Sequence, residues 1–141
     1  MSASNVRAFH AAAGQPVDMP LQAGNGSIKL MNTRALMIVE EFREVVSAIS
    51  SLQAALVQKR GPEYIAERIA HLRKELADLK YVTNGFGVTF GFPVEADDQL
   101  VHESNLTKAN PDGTFTKDDN GKVVKSALYR EPVFPALTVA A

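Results

Sequence analysis

Five carboxylates fall in two short runs, E-E-F-R-E (Glu40, Glu41, Glu44) and E-L-A-D (Glu75, Asp78). Glu41 and Glu44 are three apart, as are Glu75 and Asp78, and residues at i and i+3 leave a helix from one side. Two such pairs facing each other would form an all-oxygen cage. The chain has no cysteine, and none of its three histidines stands at metal spacing to another. Hard oxygen donors of this kind suit Mg2+, with Mn2+ as a substitute. Carboxylates so close together repel one another, and a cation among them removes that repulsion.

Helical angles separate the two runs. At about 100° per residue, Glu40, Glu41 and Glu44 share one arc, and Val39, Phe42, Val46, Ile49 and Leu56 lie mostly opposite. That pattern alone fits an acidic wet face over an apolar buried one. In the second run, Leu72, Leu79, Val82 and Phe86 all fall within about 60° of Glu75, so Glu75 projects from the middle of an apolar stripe. Lys74, Arg73 and Lys80 are placed on the far side as solvent charges. An ionised carboxylate on a buried face costs several kcal/mol unless it is paired or bound to a metal. Arg34, Arg43 or Arg68 could supply an ion pair; a divalent cation shared with Glu41 and Glu44 is the alternative.

The elements that must carry these residues are helical. A short helix is expected over Asn5–Ala13, ended by Gly14 and Pro16, then a loop over Gln15–Ser27. A long helix is expected over Ile28–Gln58. Gly61-Pro62 breaks it, and Pro62 fits the first turn of a further helix over Glu63–Asn84. The glycine-containing segment Gly85–Pro93 is read as a turn. One more helix is expected over Glu95–Lys108. Asp112-Gly113 and Asn120-Gly121 then mark a β-hairpin over about 112–126, with a type I′ turn at Asn120-Gly121. The tail, 131–141, is expected to be loosely held. The fold class is therefore all-α, a helical bundle with a small C-terminal β-hairpin, in a single domain spanning 1–141.

Composition sets the remaining limits. The 141 residues are 45% hydrophobic with a formal net charge of -1. That balance offers no basic face for a nucleic-acid partner. Without cysteine there is no disulfide framework, thiolate metal site or cysteine nucleophile. No apolar run approaches the ~18 residues of a membrane span, and no charged-then-apolar leader opens the chain. A cytoplasmic protein with no membrane partner is the expectation.

The acidic signature resembles E-E-x-x-E … E-x-x-D of the MazG-like, phosphoribosyl-ATP pyrophosphohydrolase-like superfamily of all-α nucleoside triphosphate pyrophosphohydrolases. V-R-A-F-H-A-A-A-G-Q-P-V near the N-terminus, H-E-S-N-L-T-K, and D-D-N-G-K-V-V-K-S-A-L-Y extend the likeness over most of the chain. The resemblance implies a Mg2+-dependent hydrolase that cleaves a nucleotide between its α- and β-phosphates. It implies Glu41, Glu44, Glu75 and Asp78 as metal ligands, and Glu40 as a further ligand or as the base on the attacking water. Asn105 and Lys108, three apart and so on one helix face, would approach the phosphates; Lys125 and Tyr129 would be accessory substrate contacts. A homodimer or homotetramer is implied as well. A non-catalytic, metal-binding helical oligomer and an enzyme specific for phosphoribosyl-ATP are the rival readings.

Overall fold

The computed structural model describes residues 2–140; the last residue of the expected loose tail lies outside them. The fold is all-α. Its helices are α1 (Ala3–Ala12), α2 (Ile28–Val57), α3 (Pro62–Phe90) and α4 (Val94–Leu106). Two compact units are present, residues 1–92 with 138–141, and residues 93–137.

In the first unit α1 and α2 both pack on α3. The turns between helices follow from local chemistry. Gly14 takes φ +65° after α1, and the Gln15 N–H returns to the His10 carbonyl at 2.8 Å. Lys59 takes φ +51° after α2, and the Arg60 N–H reaches the Ala55 carbonyl at 3.0 Å. Gly91 ends α3 at φ +71°, with the Phe92 N–H on the Gly87 carbonyl at 2.9 Å. All three are the left-handed ending that satisfies the last orphan carbonyls of a helix. Pro62 occupies the first turn of α3, where its missing N–H leaves no helical bond unmade.

Two sequence expectations need correction here. The segment from Gly85 to Phe90 is helix, not turn. Its glycines serve packing: a Cβ on Gly85 would stand 3.3 Å from His10 Nε2 and 3.9 Å from Val6 Cγ1, so the bare backbone is what admits α1. The second correction concerns α2. Its packed face is Arg34, Val45, Ala48 and Ala55, with Glu41 on the same side, while Leu36, Val39, Phe42, Val46, Ile49 and Leu56 are exposed. The large apolar stripe thus points away from this unit's own core, and the small residues let α2 approach α3 closely.

That core also buries a cation. Arg34 is 6% exposed, and no carboxylate pairs with it among the described residues. Its guanidinium donates to Gln15 Oε1 at 3.0 Å and to Met37 Sδ at 3.7 Å. Residues 21–22 (β1) and 139–140 (β2) form a two-residue parallel pair, Leu21 with Val139 and Gln22 with Ala140, so the tail contributes a strand to the first unit.

The second unit holds α4 and an irregular region. The chain reverses around Asn120-Gly121 with one antiparallel bridge, Lys117 to Val123. The expected type I′ turn is not what forms. Asp118 and Lys122 pair backbone to backbone at 2.9 Å, and Asp118 Oδ1 accepts the Asn120 and Lys122 N–H groups. Gly121 takes φ +79°, whereas Asn120 keeps an ordinary negative φ, so the loop has three residues rather than two.

Candidate metal centre

The acids of the two long helices meet. Glu41 of α2 with Glu75 and Asp78 of α3 offer carboxylate oxygens that all lie within 4.8 Å of one another. Glu75 is the deepest, at 2% exposure; Glu41 and Asp78 are half-buried. Glu44, one turn along α2, is exposed and lies against Glu75. Glu40 is exposed beside Glu41.

Crowding shows in the protonation of the group. Burial pushes the Glu41 carboxyl above its ordinary value, and the charges of Asp78, Glu75 and Glu40 add to the rise. A hydrogen bond with Glu75, followed by its charge, pushes Glu44 up as well. Burial leads at Glu41 and the Glu75 hydrogen bond at Glu44, and like charge sharing a small volume adds to both.

None of the arginines considered from sequence pairs with Glu75. Lys74 does. Its ammonium donates to Glu75 Oε1 at 3.1 Å, to Glu75 Oε2 at 3.3 Å and to Asp78 Oδ2 at 2.7 Å. Asp78, then Glu75, hold that ammonium far above the usual amine range, so it stays charged. This corrects the expectation that Lys74 is an ordinary solvent charge on the far side of α3. His71 adds its Nδ1 at 3.2 Å from Glu75 Oε1. The missed signal was the spacing of Lys74 and Asp78, i and i+4, where opposite charges regularly meet on a helix.

The donor set fits a hard divalent cation. Three carboxylates converge, and one ammonium already stands as a monovalent ion on two of them. Glu41 Oε2 is buried with no hydrogen-bond partner among the described residues, an acceptor left over.

The other predicted residues lie in the second unit. Asn105 is in the last turn of α4, which ends at Leu106, so Lys108 falls just beyond the helix in a following turn. The Lys108 N–H returns to the Asn105 carbonyl at 3.2 Å. Lys125 and Tyr129 are together: the ammonium stands 4.3 Å above the ring centroid, and 3.5 Å from Glu131 Oε1.

The family model for phosphoribosyl-ATP pyrophosphohydrolase matches residues 6–105. The chain belongs to that family. No curated protein matches it. The phosphoribosyl-ATP pyrophosphohydrolase family is part of the MazG-like all-α superfamily, and membership supports nucleotide pyrophosphohydrolase activity in general. The matched span includes all five acids and Asn105, and it stops short of Lys108, Lys125 and Tyr129. No helix among the described residues is long and apolar enough to cross a membrane.

Proposed function

We propose that the chain hydrolyses a nucleoside or deoxynucleoside triphosphate between its α- and β-phosphates, giving the monophosphate and pyrophosphate, with Mg2+ held by Glu41, Glu44, Glu75 and Asp78. The observation that carries this reading is the convergence of three carboxylates from two helices, the innermost fully buried, with a lysine ammonium on two of them. A bound Mg2+ or Mn2+ supplies charge neutralisation at phosphate oxygens and acidifies a water. The chain's own residues do the rest. Glu40, exposed next to the cluster, accepts the proton of the water as its oxygen attacks the α-phosphorus and pyrophosphate leaves. Asn105 and Lys108 bind phosphate oxygens, and Lys125 and Tyr129 contact the substrate, as the resemblance implies.

The exposed stripe of Leu36, Val39, Phe42, Val46, Ile49 and Leu56 supports self-association. Leu36 is 69% and Phe42 55% exposed, on a helix whose other face is already packed. Exposed apolar surface of this extent marks an interface more often than open solvent. We propose a second copy of this chain as its partner, in a homodimer or homotetramer.

A second reading, phosphoribosyl-ATP as the substrate, is favoured by the name of the matching family. One assay addresses both. Pyrophosphate release is measured with Mg2+ over a panel of nucleoside and deoxynucleoside triphosphates and phosphoribosyl-ATP. Turnover of a triphosphate that exceeds turnover of phosphoribosyl-ATP is the expected result; the reverse selects the second reading. Glu41→Gln and Glu75→Gln should each lower turnover on the order of a hundredfold or more, the loss expected when a metal site supplying several kcal/mol is broken. No product from any nucleotide, with metal-dependent stabilisation retained, would identify a non-catalytic metal-binding oligomer instead.

A further inference from the structure

We propose that Lys74 is a resident counter-ion of the acid cluster: its ammonium holds the carboxylates together until a divalent cation displaces it, so this side chain sets the affinity of the site for metal. The inference rests on the metal reading above and adds to it a competitor supplied by the chain itself.

The geometry carries the argument. An ammonium has three N–H donors. Those of Lys74 go to three carboxylate oxygens, both of Glu75 and one of Asp78, at 2.7–3.3 Å. Both residues belong to the set whose carboxylate oxygens converge within 4.8 Å of one another and would be offered to an ion. Two cations cannot share them, because charges a few ångströms apart repel by several kcal/mol even near a protein surface. Metal entry therefore requires the ammonium to leave.

The residue is suited to leaving. Its side chain is 62% exposed, against 2% for Glu75. Among the described residues no other hydrogen bond or ion pair holds the ammonium. Lysine carries a compact, strongly hydrated charge on a flexible stem, so withdrawal returns it to water. Lys74 also falls short of what the cluster needs. It spends all three donors and leaves Glu41 Oε2 buried without a hydrogen-bond partner among the described residues. A monovalent placeholder thus occupies a site whose acceptors exceed its capacity.

The test uses the full chain and Mn2+ alone. Calorimetric titration compares the wild type with Lys74→Met and with Lys80→Met, which removes the same charge from an exposed position on α3. If the site is free of its ammonium about a tenth of the time, Lys74→Met should bind Mn2+ about tenfold more tightly. Lys80→Met should stay within about twofold of the wild type. An equal gain in both variants would mean general electrostatics and overturn the proposal, as would no gain in Lys74→Met. A second measurement needs no variant. Acylation of lysine amines in the wild type, read by mass spectrometry, should speed up at Lys74 when Mn2+ is added and stay constant at Lys80; an unchanged Lys74 rate overturns the proposal. Absence of Mn2+ binding in the wild type would overturn both this inference and the metal reading, whereas binding without the Lys74 effects would overturn this inference alone.

Discussion

Two buried polar sites lie on one face of α2, and they are built in opposite ways. Arg34 and Glu41 are seven residues apart, two helical turns, and both point toward the packed side. At the first site a cation is buried among neutral partners: the Gln15 amide oxygen, the Met37 sulfur, and His10, whose imidazole is 2% exposed. At the second, Glu41, Glu75 and Asp78 converge, and Lys74 pairs with the last two. The two outer nitrogens of the Arg34 guanidinium are held by this chain's own neutral atoms, while its Nε is buried without a hydrogen-bond partner among the described residues. In the acid site three carboxylates converge and the ammonium bonds to two of them, so the cluster keeps an excess of negative charge. The contrast separates a polar group used to join α2 to the loop after α1 from the cluster for which a bound cation is proposed.

The largest expected effect breaks that contrast at the acid site. Glu75→Gln should remove Mn2+-dependent stabilisation in thermal melts and raise the melting temperature of the metal-free protein, since one of the crowded charges is gone. Arg34→Met should do neither. Its turnover should stay within about twofold of the wild type. Its stability should change by no more than about 1 kcal/mol, because relief from burying a charge offsets the orphaned Gln15 oxygen. A hundredfold loss of turnover in Arg34→Met would show that the two sites act as one.

The next effect concerns pH and sharpens the comparison. Glu41 and Glu44 both titrate above their ordinary values. A raised folded value means the metal-free native state binds more protons than the unfolded chain between the two values. The acid site thus stabilises that state at low pH, and the contribution is lost as pH rises through the raised values. Metal must expel those protons, so Mn2+ affinity should climb with pH, by up to about tenfold per unit for each proton released. Calorimetry from pH 4 to 7.5, spanning the ordinary carboxyl value and the range above it, checks this; a flat profile over the whole span would show that Glu41 and Glu44 give up no protons to the ion.

How much of this was legible before the fold was known varies with the residue. The acids and the depth of Glu75 follow from helical periodicity, because a carboxylate between Leu72 and Leu79 has only one face to leave by. The reach of Lys74 does not follow. Angular arithmetic treats a side chain as a spoke, and a four-carbon stem curls around its helix to an acceptor one residue on. Periodicity also found two faces on α2 but could not say which one this unit covers. The small residues Ala48 and Ala55 take that side, and the large apolar ones are left out. Gly85 looked like a helix breaker because local propensity carries no knowledge of α1. In the loop near Gly121, the Asp118 carboxylate decides the turn, overriding the preference of Asn120-Gly121 for two left-handed residues.

The cationic site should respond to acid in its own way. His10 titrates below its ordinary value, first through burial and then through the Arg34 charge. Its Nδ1 faces the Pro16 carbonyl at 3.3 Å, which can only accept, so the proton sits there and Nε2 is bare. With a depressed folded value, the unfolded chain binds the extra proton first. Stability is therefore present above about pH 6.5 and declines as pH falls from there toward the folded value, by at most about 1.4 kcal/mol per unit. Urea midpoints from pH 7.5 to 5 should show the decline in the wild type and a flatter line in His10→Gln. A profile unchanged by the substitution would mean that other groups govern the acid limb.

The smallest effect tests why the cationic site could be closed so tightly. Gly85→Ala in mid-helix gains about 1 kcal/mol of helix propensity. The new Cβ would stand 3.3 Å from His10 Nε2, so the ring must shift a few tenths of an ångström against its Pro16 bond. The two terms are similar in size and opposite in sign, and the net change in unfolding free energy should be close to zero. Remove the ring and only the gain survives: in a His10→Ala background, Gly85→Ala should stabilise by up to about 1 kcal/mol. A double-mutant cycle reads the coupling directly. If Gly85→Ala behaves identically with and without the imidazole, the close approach of α1 does not depend on that glycine, and the helix carries it for some reason other than room for His10.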